Sequence, residues 1–271
     1  MNTRSIHLYV DPAWRRQMQH IPLLFPFWGN CLDKDRVPFQ YALFERHHFD
    51  TSRYTITADA SGADMVLMPY NYNMVQRHAP ELLDLYVAEA NRQKKLLLID
   101  ATGDLEQPIT LPHTVILRYG GYRFSKQENE IHIPFYADDL LEVYCNGQLQ
   151  LQEKKEKASI GFSGWAALTF NQKVRTLIKE LPVRVRSILD SRYGAYKKGI
   201  FFRQQAIEVL QHSSAVVPNI LVRKSYSGHS HDASADQTQL RREFVDNLLG
   251  SDYALDVRGD ANASIRLFEI L

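Results

Sequence analysis

Ser251-Asp-Tyr-Ala-Leu-Asp-Val-Arg-Gly-Asp-Ala-Asn-Ala-Ser-Ile-Arg-Leu-Phe-Glu-Ile-Leu271 is the stretch whose reading decides the fold. Alternating apolar residues over 253–257 predict a strand, and Arg258-Gly259-Asp260 predicts a tight turn. A polar cap at Ser264 then leads into a helix. A strand that feeds a helix through a Gly-containing loop presents backbone N–H groups and the positive end of the helix dipole above the sheet. That favours an anion such as a phosphate. Arg258 on the loop and Arg266 in the first helical turn add cationic donors. An ordinary capped turn between strand and helix accounts for the same pattern, so the wider sequence has to decide.

Working outward, strands and helices alternate in both directions. Apolar runs at 6–10, 63–70, 95–100 and 114–118 read as buried strands. Between them, residues 78–93 carry apolar side chains at helical spacing (Leu82, Leu85, Tyr86, Ala90). After a charged stretch at 148–157, which reads as a linker, the pattern restarts. A strand at 158–165 leads through Trp165 to a helix with Val174, Leu177, Ile178 and Leu181 on one face. A helix at 201–210, a strand at 220–224 and a helix ending near Leu249 follow. The alternation predicts an α/β fold with parallel sheets, in two Rossmann-like domains over 1–150 and 158–271.

Composition narrows the functional classes. With 45% hydrophobic and 23% charged residues the chain has the make-up of a soluble globular protein. A formal charge of +1 offers no net field for nucleic acid, so no nucleic-acid partner is expected. Cys31 and Cys145 lie far apart without metal-ligand spacing. The adjacent His47 and His48, and His229 with His231 in a polar loop, read as surface residues rather than metal ligands. No apolar run is long enough to span a membrane, and the first residues are too short for a signal-peptide core, so a cytoplasmic protein is expected.

The run from Arg242 to Leu271 resembles the signature of exostosin-like glycosyltransferases, R-x-x-(Y/F)-x-x-x-(L/M)-x-x-S-x-(F/Y)-x-L-x-x-R-G-x-x-N-x-S-x-R-x-x-E-x-L. Arg242, Ser251, Tyr253, Leu255, Arg258, Gly259, Asn262, Ser264, Arg266, Glu269 and Leu271 fall on it. Asp256 stands where that family commonly has Cys, and Ala263 where it has an aromatic residue. The resemblance implies two Rossmann-like domains facing across a cleft, the GT-B type, with an amino-terminal acceptor half and a carboxyl-terminal donor half. It also implies that the donor half is incomplete, because the family's chain continues past the Glu-x-Leu helix.

The implied reaction moves a sugar from a nucleotide-diphosphate sugar, a UDP-sugar first, onto a glycan or other hydroxyl acceptor, with inversion and without a metal. Such chemistry must stabilise a departing diphosphate and deprotonate a hydroxyl. Arg175, Arg223, Arg258, Gly259, Asn262, Ser264, Arg266 and Glu269 are the expected donor-site residues, with Lys224 beside Arg223. Within this set, Arg175 and Arg258 are assigned to the diphosphate, Ser264 to the helix cap and Glu269 to the ribose hydroxyls. Asp11 and Asp100, at the ends of the first and third strands, are the two candidates for the base, and each equally fits a loop cap. The competing reading is a nucleotide-sugar binder without transferase activity.

Overall fold

Leu96 to Asp100 is nearly all apolar, too short for a helix of its own and buried from Leu97 onward, as a strand flanked on both sides must be. In the computed structural model it is the fourth strand of a six-stranded sheet. Residues 4–104, 107–148, 153, 155–223, 236–259 and 264–270 are described. The chain divides into two compact units, Met1–Pro134 and Phe135–Leu271.

The first unit holds β1 (Ile6–Tyr9), α1 (Phe25–Trp28), α2 (Pro38–Arg46), β2 (Tyr54–Thr57), β3 (Met65–Leu67), α3 (Tyr72–His78), α4 (Glu81–Gln93), β4 (Leu96–Asp100), β5 (Thr114–Arg118) and β6 (Glu130–His132). The sheet order is β2-β1-β3-β4-β5-β6, and every pairing is parallel. Strand order reverses at β1, which makes the carboxyl ends of β1 and β3 the place where a crevice opens in sheets of this kind. One apolar cluster fills the unit, with Val66, Leu67, Ile99 and Ile116 excluded from solvent. Trp14 meets Tyr9 and Tyr86 edge to face at 5.5 and 5.0 Å, the favoured geometry for aromatic pairs.

The second unit holds α5 (Leu140–Cys145), β7 (Ser159–Trp165), α6 (Phe170–Leu189), α7 (Gly199–His212), β8 (Val217–Arg223), α8 (Gln237–Leu249), β9 (Tyr253–Ala254) and α9 (Ile265–Glu269). Its sheet has three parallel strands in the order β8-β7-β9. β7 pairs with β8 along its whole length, whereas β9 meets it only at Ile160 and Gly161. A bond from Leu255 N to Gly161 O, 2.8 Å, carries that pairing one residue further.

The expected alternation is present as an α/β arrangement with parallel sheets, and three details differ. β2, with its Tyr-Thr-Ile-Thr sequence, is a half-buried edge strand that no apolar run announces. α6 runs through Pro182 to Leu189 rather than stopping at Leu181. The turn beyond the proline is secured by Glu180, which accepts from Arg184 Nε at 2.5 Å, and by Ser187 Oγ donating to Arg184 O at 2.7 Å. The second unit also takes in residues ahead of the charged stretch read as a linker. Its Asp138 bonds Arg241 at 3.3 Å and its Phe135 meets Phe268 at 5.8 Å.

Candidate functional site

In the first unit the candidate residues stand at the carboxyl ends of the strands. Asp100 ends β4 and is 4% exposed. One of its oxygens accepts from Thr102 N at 2.9 Å, Thr102 Oγ1 at 2.6 Å and Asn71 Nδ2 at 3.0 Å. Asn71 follows β3 and caps α3 through its own side-chain oxygen, so one loop residue joins two strand ends. Burial pushes the Asp100 carboxyl above its ordinary value, and the bonds from Thr102 and Asn71 pull it back only in part. Tyr119, just past β5, is also raised, first by burial and then by the Asp100 charge. A buried carboxyl with a raised pKa at a strand end is the environment that tunes a carboxylate toward proton transfer near neutral pH.

Asp11 differs. It accepts from Ala13 N at 2.8 Å and caps the short 3-10 turn Pro12–Trp14, with Tyr9 OH at 3.4 Å from its other oxygen. Its loop-cap role is thus visible, while Asp100 is the carboxylate held in a low-dielectric setting.

In the second unit, guanidinium groups gather around the carboxyl ends of β7, β8 and β9. Arg223 ends β8 and reaches Glu243 Oε2 at 2.9 Å, Leu240 O at 3.2 Å and Ser163 Oγ at 3.4 Å. Arg258 donates to Lys197 O at 2.5 Å and lies over the Phe202 ring at 5.6 Å. Arg203, on α7, bridges Val257 O at 3.0 Å and Trp165 O at 3.3 Å, tying the loop after β9 to the end of β7.

The approach of that loop to α7 is close. A Cβ on Gly199 would fall 2.0 Å from Gly259 O and 2.2 Å from Arg258 O, so glycine is required where α7 begins. Phe202 also lines an open, mainly apolar hollow of about 370 Å³ with Ala206, Val209, Leu210 and Leu255.

Arg266 is partly buried and packs its guanidinium over the rings of Phe162, at 4.6 Å, and Phe244, at 5.4 Å. It donates to Ser163 O at 2.6 Å and Leu255 O at 3.3 Å, joining β7 to the segment after β9. Burial, with Arg203 as second cause, pulls its guanidinium down to about 10, which leaves it charged at neutral pH. Glu269 is likewise engaged, accepting from Arg241 Nη1 at 2.6 Å with a side chain only 6% exposed. Burial pushes the Glu269 carboxyl up and Arg241 lowers it only in part.

The expected donor set is therefore brought together in part. Arg223, Arg258, Gly259 and Arg266 surround the strand ends, while Arg266 and Glu269 spend their polar atoms inside the unit. Ser264 holds the N-cap position in an extended conformation without a side-chain cap bond. α9 has five residues, too few for a strong dipole, so an anion here would be met by side chains rather than by that helix. Arg175 is exposed on α6. Asn262, Lys224, His229 and His231 lie outside the described residues.

Two features were passed over in the sequence. Arg203 carries no signal that marks it out from other arginines on helices. An Asp-x-Asp triplet, Asp33-Lys34-Asp35, precedes α2, and Asp33 accepts from Asp35 N at 2.9 Å and Arg36 N at 3.2 Å as a turn cap. Among the described residues no group of three His, Cys, Asp or Glu side chains is placed to hold a metal ion. Nor is any described helix long and apolar enough to cross a membrane. No family model matches this chain, and no curated protein or solved structure matches it.

Proposed function

We propose that this chain binds a nucleotide-diphosphate sugar, a UDP-sugar first, in its second unit and transfers the sugar to a hydroxyl acceptor. The two units would form a GT-B-type pair of the exostosin-like kind, with inversion and without a metal. One observation carries the reading. Arg258 lies on Phe202 beside an apolar hollow, at the end of a parallel sheet where Arg203, Arg223 and Arg266 concentrate positive charge. A hollow of that volume suits the apolar faces of a nucleoside, and guanidinium groups suit its diphosphate.

Asp100 is the base in this proposal. Its raised carboxyl can accept the acceptor's proton, while Asp11 holds its loop. Arg223, Arg258 and Arg203 offset charge on the departing diphosphate, while Arg266 ties β7 to the segment after β9 and Glu269 ties α9 to α8.

A second reading, a nucleotide-sugar binder without transfer, is favoured by the bonds that already occupy Arg266 and Glu269. Calorimetry with UDP and with uridine tests the shared part. Arg258→Ala is expected to weaken UDP binding by about 1.5–3 kcal/mol and uridine binding far less. Equal losses for the two ligands would remove the diphosphate assignment. Transfer assays with a panel of nucleotide sugars, with and without EDTA, then separate enzyme from binder, and an absolute need for Mn²⁺ or Mg²⁺ defeats the metal-independent reading.

A further inference from the structure

α6 is turned inside out relative to an ordinary surface helix. Phe170, Ile178, Leu181, Val185, Ile188 and Leu189 are each more than half exposed. At ~100° per residue they share one arc of about 100° on the helix. The opposite face is the covered one, and it carries Thr176, Glu180, Val183 and Ser187. Glu180 is 3% exposed there and accepts from the Lys198 backbone N–H as well as from Arg184. An amphipathic helix normally buries its apolar stripe and shows its polar face to water. Here the bond that Glu180 accepts from Lys198 N–H, with Arg184 lying over the Phe201 ring at 5.4 Å, fastens the helix to its unit, and the stripe of a helix ~30 Å long is left outward.

The charges beside the stripe all have one sign. Lys173 and Arg184 fall along one border, and Arg175, Lys179 and Arg186 along the other. Glu180 is the helix's one acidic residue, and it is turned inward. Two copies of this helix laid face to face would bring cations against cations, which disfavours a second copy as the occupant. Nucleic acid would satisfy the cations and leave the Leu and Ile side chains in water. A broad apolar arc between two cationic borders fits the boundary between anionic headgroups and acyl chains. Tyr193 and Tyr196, just beyond the helix and partly exposed, add rings of the kind that settle at that boundary.

We propose that α6 is an interfacial anchor that seats the second unit on an anionic lipid surface. The attraction is local to this helix, since the whole chain has a formal charge of only +1. The inference does not depend on the nucleotide-sugar reading, and its readout is binding to lipid.

The test is sedimentation of the full chain with phosphatidylcholine vesicles, alone or with about one third phosphatidylglycerol. Binding to the anionic vesicles is expected to exceed binding to neutral ones by at least about tenfold and to weaken as salt rises. Lys179→Glu should lower it by about fivefold or more, since each basic residue near such a surface contributes about that factor. Leu181→Glu with Ile188→Glu should lower it by at least about tenfold, and because both positions are exposed the fold should be retained by circular dichroism. A reporter Ile188→Trp should be quenched by brominated acyl chains. Equal binding to neutral and anionic vesicles, or none to either, overturns the proposal. So does a lipid-free dimer that the double variant dissociates, which would make the stripe an interface between copies.

Discussion

The two parallel sheets are held together by different means. In the first unit one buried apolar cluster extends from Leu8 on β1 to Ile116 on β5, and aromatic pairs such as Trp14 with Tyr86 complete it. In the second, the buried apolar cluster consists of Phe162, Ala166 and Ile207 among the described residues. Polar joints do much of the remaining work there. Ser159 bonds Asp252 through both its N–H and its hydroxyl at 2.7 Å, and Asn247 Nδ2 donates to Asn219 O at 2.8 Å. Ser251 sits where a Cβ on Gly161 would come within 2.5 Å of its oxygen. Where apolar burial is thin, a charged side chain that looks like a ligand group has a second occupation as a structural bolt. Arg266 and Glu269 are both of this kind.

The largest effect that tests this contrast is expected in the first unit. Ile99 is fully buried, so Ile99→Ala should remove about 3–4 kcal/mol from that unit through lost transfer energy and an unfilled cavity. Hydrogen exchange followed unit by unit in denaturant would show the loss over 4–134 and little change beyond it. A uniform loss across both units would mean that they unfold as one and that the contrast has no energetic meaning.

Next in size is Arg266→Met in the second unit, at about 2–3 kcal/mol. Methionine keeps apolar volume between Phe162 and Phe244 but leaves the Ser163 and Leu255 carbonyls without their donors. A neutral or stabilising outcome in the same exchange experiment would show that the unit rests on packing, as buried charges replaced by apolar groups sometimes reveal.

The same contrast explains what could be read from the sequence. β4, β5 and β7 were legible because strands largely covered on both faces leave apolar runs, and β8 because Ile220, Leu221 and Val222 form one although Leu221 and Val222 are exposed at the sheet's edge. β2 was not, since a short edge strand with alternating Thr needs no such run. The spacing of Val174, Leu177, Ile178 and Leu181 announced an amphipathic helix correctly, but periodicity locates an apolar stripe without saying which way it faces. The bond that Glu180 accepts from the Lys198 N–H, beyond the helix, fixes the polar face inward, and that meeting depends on tertiary structure, whereas Arg184 is a neighbour of Glu180 one helical turn on. The arginines at the strand ends were legible by position. That Arg266 packs over two rings, and that Arg203 joins Trp165 to Val257, depends on contacts between elements far apart in the chain.

The smallest effect concerns Asp100, one of the polar groups buried in the first unit beside His20, Thr114, Arg118 and Glu130. Burial holds its folded carboxyl above the ordinary value of 3.8, so in the unfolded chain it loses its proton first. Between 3.8 and the higher folded value the native state binds more protons than the unfolded state, and stability falls as pH rises through that window. Below the window both states are protonated, and above it both are ionised, so the contribution levels off on either side. Asp100→Asn keeps an oxygen for Thr102 N, Thr102 Oγ1 and Asn71 Nδ2 but cannot titrate. Measured by urea unfolding, the stability of wild type minus that of the variant should decline as pH climbs from 3.8 and then hold steady. A difference that rises over the same range would mean that the three donors outweigh burial, and Asp100 would then be a fixed anion of the loop rather than a carboxylate poised to take a proton.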